Sequence, residues 1–278
     1  MILKKVDLTA EYPFLQGGEL LCIAADYIFD GEVDSAWKRP AVIVVPGGGY
    51  GMVSKREGEP VAHAFLAKGF QVFILTYRVG EEVRYPEQLC EIAAAVDYVK
   101  KHADEFSVNP QEVFAVGFSA GGHLVGNLCV EHQNIQQKTG VALDCNLTAA
   151  GLSYPVITQD GGHMGSYINL LNGYTDEAKA ELFKTVNLNE AVNEQTPPAF
   201  IWTTATDNVV PADNAMRYAL ALAKKNIGYE LHVYPAGLHG LSTANDEVNV
   251  VPNTDMKRIA RWVDDCALFF RRYTQEKF

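Results

Sequence analysis

The chain lacks any apolar run long enough to cross a bilayer, because charged residues break every hydrophobic stretch well short of ~18 residues. No apolar block follows Lys4 and Lys5 to make a signal peptide. These absences predict a protein with no membrane partner that is not exported, hence a cytoplasmic one. Cysteine is also scarce: Cys22, Cys90, Cys129, Cys145 and Cys266 are odd in number, scattered and never arranged as C-x-x-C. That pattern argues against a disulfide scaffold and a structural zinc site, and suits thiols in a reducing compartment. Positive charge is in deficit, with 23 Lys and Arg against 34 Asp and Glu and a formal net charge of −11. A polyanion is repelled on balance, so no nucleic-acid partner is expected. Repeats and low-complexity linkers are absent too. The composition leaves a homo-oligomer open.

What is present is an ordinary globular composition, 48% apolar over 278 residues, enough for a large core. Length alone allows one domain or two at ~150 residues each. The order of elements favours a single domain over 1–278. Strands are predicted over Leu20 to Phe29, Ala41 to Val45, Phe70 to Tyr77, Glu112 to Gly117, Thr148 to Ser153, Ala199 to Thr204 and Tyr229 to Tyr234. Helices are predicted over Glu59 to Lys68, Pro86 to Glu105, from Ala120, over Pro211 to Asn226 and, as one amphipathic piece, over Asp255 to Tyr273. Such alternation predicts an α/β fold, a mostly parallel central sheet with helices on both faces. The stretch 156–198 exceeds any ordinary loop and reads as a small insertion over the carboxyl edge, a lid, a pocket wall or a packed excursion. Within it Thr175 to Thr185 has a helix signature, with Thr175 as N-cap and Asp176 and Glu177 in the first turn.

Gly117-Phe118-Ser119-Ala120-Gly121 is a G-x-S-x-G segment between a predicted strand and a predicted helix, the context in which a serine is raised on a sharp elbow as a nucleophile. The pattern alone is weak, since chance supplies about one match per ten chains of this length at ~7% usage of each residue. Chain order strengthens it. A serine hydroxyl needs a base, and the base needs a carboxylate to fix its tautomer. Asp207 and His239 follow successive strands, in the order Ser, Asp, His, so all three are expected at the carboxyl edge of the sheet. Asp160 is the runner-up carboxylate, and Asp213 reads as a cap of the helix after Pro211. Among the other histidines, His63, His102, His132, His163 and His232 have ordinary structural readings, and His123, one turn past Ser119, reads as packing. The Gly-rich loop Pro46-Gly47-Gly48-Gly49-Tyr50 stands where backbone N–H groups can stabilise an oxyanion, with Gly48 or Gly49 joined by Ala120. It fits neither G-x-G-x-x-G nor a Gly-Lys-Ser/Thr phosphate loop.

Together Val45-Pro-Gly-Gly-Gly-Tyr50, Tyr77-Arg78, Gly117-Phe-Ser-Ala-Gly-Gly-His123, Tyr154-Pro-Val156, Thr206-Asp207 and Leu238-His-Gly240 resemble the α/β-hydrolase superfamily. They are most similar to small bacterial carboxylesterases and acetyl esterases of the hormone-sensitive-lipase-like or acetyl-xylan-esterase-like type, including lipase/esterases of lactic-acid bacteria. The resemblance spans roughly Ala41 to Gly240. It implies a serine carboxylesterase acting on small-molecule short-chain acyl esters, acetyl and sugar esters among them, with no metal and no organic cofactor. Two other readings stay open, a serine peptidase of the same fold and a non-catalytic receptor on a hydrolase scaffold. Pro46 stands where many relatives begin an H-G-G-G motif with histidine, so whatever that histidine holds must be absent or supplied otherwise. The segment before Ala41 is too short for a hormone-sensitive-lipase helical cap, which shifts pocket-building to 156–198.

Overall fold

A computed structural model describes residues 1–26, 37–249 and 255–275. Its strands are β1 (Ile2–Asp7), β2 (Glu19–Ala24), β3 (Arg39–Val45), β4 (Gln71–Thr76), β5 (Val108–Phe118), β6 (Ala150–Ser153), β7 (Ala199–Thr204) and β8 (Tyr229–Tyr234). They form one sheet in the order β1-β2-β4-β3-β5-β6-β7-β8. From β4 to β8 every pairing is parallel, while β1 and β2 add antiparallel at one edge. Pairing crosses over where β3 lies between β4 and β5, which brings the loop after β3 beside the loop after β5.

The helices are α1 (Glu59–Leu66), α2 (Glu87–Lys101), α3 (Ala120–Glu131), α4 (Ile135–Thr139), α5 (Met164–Leu170), α6 (Asp176–Val186), α7 (Leu188–Ala191), α8 (Asp213–Lys224), α9 (Met256–Ile259) and α10 (Trp262–Arg271). Alternation along the strands assigns them to two faces. Ala41, Ile43 and Val45 of β3 join a core with α2, α3 and α8. Val42 and Val44 join a second core with α1 and α10, rich in aromatic contacts such as Phe114 stacked on Phe270 at 4.5 Å. Strands buried on both faces need continuous apolar runs, and the sequence of β3 supplies one.

Three departures from the sequence reading have physical causes. β1 is an edge strand whose burial alternates strictly, yet lysines at positions 4 and 5 mask the pattern. The predicted strand from Leu20 stops at Ala24, and Tyr27 to Phe29 lie outside the described residues. The C-terminal helix divides because Ala260 (φ −55, ψ −20) and Arg261 (φ −65, ψ −16) tighten to 3-10 values between α9 and α10. Between β6 and β7 lie α5, α6 and α7, and Thr175 caps α6 by accepting from the Ala178 N–H.

One buried acid makes stability pH-dependent. Glu91 of α2 is 1% exposed and accepts a 2.7 Å hydrogen bond from the Arg78 N–H. Burial pushes its carboxyl from the ordinary 4.5 up to about 7. The folded chain therefore holds this proton more tightly than the unfolded chain. The resulting stabilisation is complete below 4.5 and is lost as pH rises through about 7. In urea unfolding, the stability of wild type relative to Glu91→Gln is expected to fall across that interval by about 3 kcal/mol; a pH-independent difference would contradict the assignment.

Candidate active site

Ser119 sits between the last residue of β5 and the first of α3, at φ 53 and ψ −117. A side chain at this angle is strained, and its neighbours hold it there: the Ser119 N–H donates to Ser153 O at 3.0 Å, and Ser119 O accepts from His123 N at 3.0 Å. The elbow needs glycine for space. A Cβ on Gly121 would collide with the carbonyl oxygens of Val45 and Pro46, and one on Gly117 with the backbone of Gly121.

His239 follows β8, and its Nε2 lies 2.9 Å from Ser119 Oγ. Its Nδ1 lies 2.7 Å from Asp207 Oδ2. Asp207 follows β7, and its Oδ1 accepts from the N–H groups of Val209 and Val210, each at 2.9 Å. A carboxylate has only acceptors here, so Nδ1 donates to it and Nε2 is left to accept from the serine hydroxyl. Ser119 is 7% and Asp207 8% exposed, so water competes weakly for these bonds.

The loop after β3 lies against the serine, with the Cβ position of Gly47 3.0 Å from Ser119 Cβ. Its carbonyls from Pro46 to Gly49 are engaged. Pro46 O accepts from Tyr77 Oη at 2.8 Å, Gly47 O from Ser54 N at 2.9 Å, and Gly48 O from the N–H groups of Gly51 and Met52 at 3.1 Å. Gly49 O accepts from Asn169 Nδ2 of α5 at 2.8 Å. In a trans peptide the N–H points opposite to the C=O, so anchoring the carbonyls of Gly47 and Gly48 orients the N–H groups of Gly48 and Gly49. Gly48 has φ 128 and Gly49 φ 63, values that favour glycine. The Ala120 N–H, at the first position of α3, has no intrahelical acceptor.

Residues 31–222, well over half of the chain, match the BD-FAE family. The chain belongs to the BD-FAE family. Its fold is that of the α/β hydrolases. An acetyl ester-xyloside bifunctional hydrolase from Caldicellulosiruptor lactoaceticus superposes with a TM-score of 0.80 at 28% identity, covering 97% of this chain and 96% of that one. A carboxylesterase from Lactobacillus plantarum superposes with a TM-score of 0.84 at 25% identity over 100% of both chains. In sequence, the chain is 36% identical over 216 residues to endo-1,4-beta-xylanase B of Butyrivibrio fibrisolvens, covering 76% of this chain and 34% of the xylanase. It is 31% identical over 207 residues to an acetylxylan esterase of Xylanibacter ruminicola, covering 72% of this chain and 40% of the esterase. The chain thus spans well under half the length of these two relatives.

In this BD-FAE chain the rival carboxylates lie elsewhere. Asp160 and Asp213 both pair with Arg217. Asp213 is the first residue of α8 rather than its cap, which is Ala212. His123 does more than pack. Its Nε2 donates to Val186 O at 2.8 Å, leaving Nδ1 to accept from Tyr50 Oη at 2.7 Å. Burial pushes it down to about 4, so it is a neutral strut between the Gly-rich loop and the end of α6. His163 stands near the site, 3.7 Å from the Cβ position of Gly49, and bonds Ser166 Oγ. Burial and the neighbouring His239 lower its pKa, which favours the neutral imidazole.

Sequence reasoning missed Glu57, just before α1. Its Oε2 accepts from Gly47 N at 2.8 Å and its Oε1 from Tyr154 Oη at 2.7 Å. Burial pushes this carboxyl up, opposed by both hydrogen bonds. Glu57 and Tyr77 together hold the peptide joining Pro46 to Gly47, the support that Pro46 itself cannot give. In sequence Glu57 is one acidic residue in a polar stretch beside Lys55 and Arg56, with no spacing to single it out.

Proposed function

We propose that the chain is a serine carboxylesterase that hydrolyses short-chain acyl esters, acetyl esters first, with acetylated sugars as the natural class. The observation that carries this reading is the unbroken hydrogen-bonded series from Ser119 Oγ through His239 to Asp207 at 2.9 and 2.7 Å. Ser119 attacks the ester carbonyl as His239 Nε2 takes its proton. The N–H groups of Ala120 and of Gly48 or Gly49 receive the oxyanion. His239 returns the proton to the leaving alcohol, and water then repeats the sequence on the acyl-enzyme to release the acid. Asp207 holds the imidazole tautomer and stabilises the imidazolium throughout. The esterase names of the relatives support ester rather than amide substrates, and the xylan-directed names among them support a sugar on the alcohol side. The five thiols, all buried and unpaired, support a reducing cytoplasmic setting.

Rates on p-nitrophenyl esters from acetate to octanoate, on acetylated xylose and on an aminoacyl p-nitroanilide test the proposal. Acetate or propionate is expected to give the highest kcat/KM, acetylated xylose to be deacetylated and the anilide to resist. Faster cleavage of the anilide than of any ester would overturn it.

A further inference from the structure

The dipeptide Arg56-Glu57 lies outside the triad and the Gly-rich loop, yet it bonds to the two loops that must stay in register around the reacting carbonyl. We propose that it is a brace between the oxyanion loop and the His239 loop, with Glu57 as the positioning residue at its centre. The inference rests on the esterase reading above.

Toward the oxyanion loop, Glu57 Oε2 holds the Gly47 N–H at 2.8 Å while Tyr77 Oη holds Pro46 O at 2.8 Å. One peptide is thus gripped at both ends by two buried side chains, 4% and 1% exposed. The next two peptides carry the Gly48 and Gly49 N–H groups, one or the other of which is proposed to receive the oxyanion. Toward the histidine loop, Glu57 Oε1 accepts from Tyr154 Oη at 2.7 Å, and Tyr154 Oη in turn accepts from Ser242 N at 2.9 Å. The Tyr154 ring packs edge-on against His239, centroids 4.9 Å apart. Arg56 completes the connection: Nη2 donates to Gly240 O at 3.0 Å, Nε donates to Val248 O at 2.7 Å, and Arg56 O accepts from Ser242 Oγ at 2.6 Å.

Chemistry favours geometry as the purpose. A buried carboxylate without a cation in contact is costly, and among the described residues Glu57 has the two hydrogen-bond donors and no ion-pair partner. Neither oxygen bonds Ser119 or His239, so Glu57 acts through Gly47 and Tyr154. Only a group with two acceptor oxygens can serve both donors. Glutamine keeps the shape, but its single oxygen serves Gly47 or Tyr154 and not both. Small displacements of oriented groups cost rate far more than they cost binding.

The test compares kcat and KM for p-nitrophenyl acetate, with melting temperature, in wild type, Glu57→Gln and Tyr154→Phe. Tyr154→Phe keeps the ring against His239 and removes only the hydroxyl that joins Glu57 to Ser242. Glu57→Gln is expected to lower kcat about 10- to 100-fold with KM changed by no more than about threefold, and Tyr154→Phe to lower kcat by a smaller factor with the same split. Two results would overturn the brace: kcat within twofold of wild type in a folded variant, or a loss carried by KM. If Glu57→Gln does not fold, Tyr154→Phe decides alone by the same criteria. Failure of the esterase reading itself is distinct, because wild type would then not hydrolyse the ester.

Discussion

Ser119→Ala is expected to lower kcat for p-nitrophenyl acetate by about 10⁵- to 10⁶-fold while leaving the fold intact. The methyl group fits where the hydroxymethyl stood, and the elbow is held by backbone bonds from Ser119 N and O that alanine retains. What disappears is the atom 2.9 Å from His239 Nε2, and with it the acyl-enzyme. Residual hydrolysis above the uncatalysed rate should persist, because the N–H groups of the Gly-rich loop and of Ala120 still polarise a bound carbonyl. Steady-state rates with circular dichroism as a check of folding measure this. A variant within tenfold of wild type would exclude Ser119 as the nucleophile.

Asp207→Asn is expected to cost about 10⁴-fold in kcat, and the geometry gives the reason. The N–H groups of Val209 and Val210 both point at Oδ1, so they select the oxygen of an asparagine amide for that position. The NH2 group then faces His239 Nδ1, the atom that bonds Asp207 Oδ2 at 2.7 Å. Two donors cannot face each other, so Nδ1 must become the acceptor and the proton moves to Nε2. An imidazole with its proton on Nε2 cannot take one from Ser119. Substrate contacts are untouched, so KM should change little. A loss of less than tenfold would show that Asp207 does not set the tautomer.

Much of this site was legible because its parts are local. The Ser119 elbow is a five-residue pattern, Asp207 follows a strand whose apolar run stands out and His239 one that alternates polar and apolar residues, so their common edge follows from counting alternations. β7 lies where its apolar run Ala199 to Trp202 puts it, because a central parallel strand is buried on both faces. β8, at the sheet edge, lies where the alternation of Glu230 and His232 with Leu231 and Val233 puts it. The brace was illegible for the opposite reason. Arg56 meets Gly240, Ser242 and Val248 across nearly two hundred positions and Glu57 meets Tyr154 across 97, and no local pattern encodes contacts of that range. His123 shows the same limit in milder form. Its helix position was plain, whereas its partners Tyr50 and Val186 come from two other parts of the chain. β1 escaped notice because Lys4 shares the half-buried face with Ile2 and Val6 while Leu3 is exposed, so its apolar and polar residues do not alternate as its burial does.

The central claim is that Ser119, activated by His239, carries the acyl group. Intact mass spectrometry and peptide mapping after treatment with a fluorophosphonate test it most directly. The account predicts one adduct per chain, on the peptide containing Ser119, and none in Ser119→Ala. An adduct on another residue, or continued ester hydrolysis by a chain that takes no adduct, would contradict it.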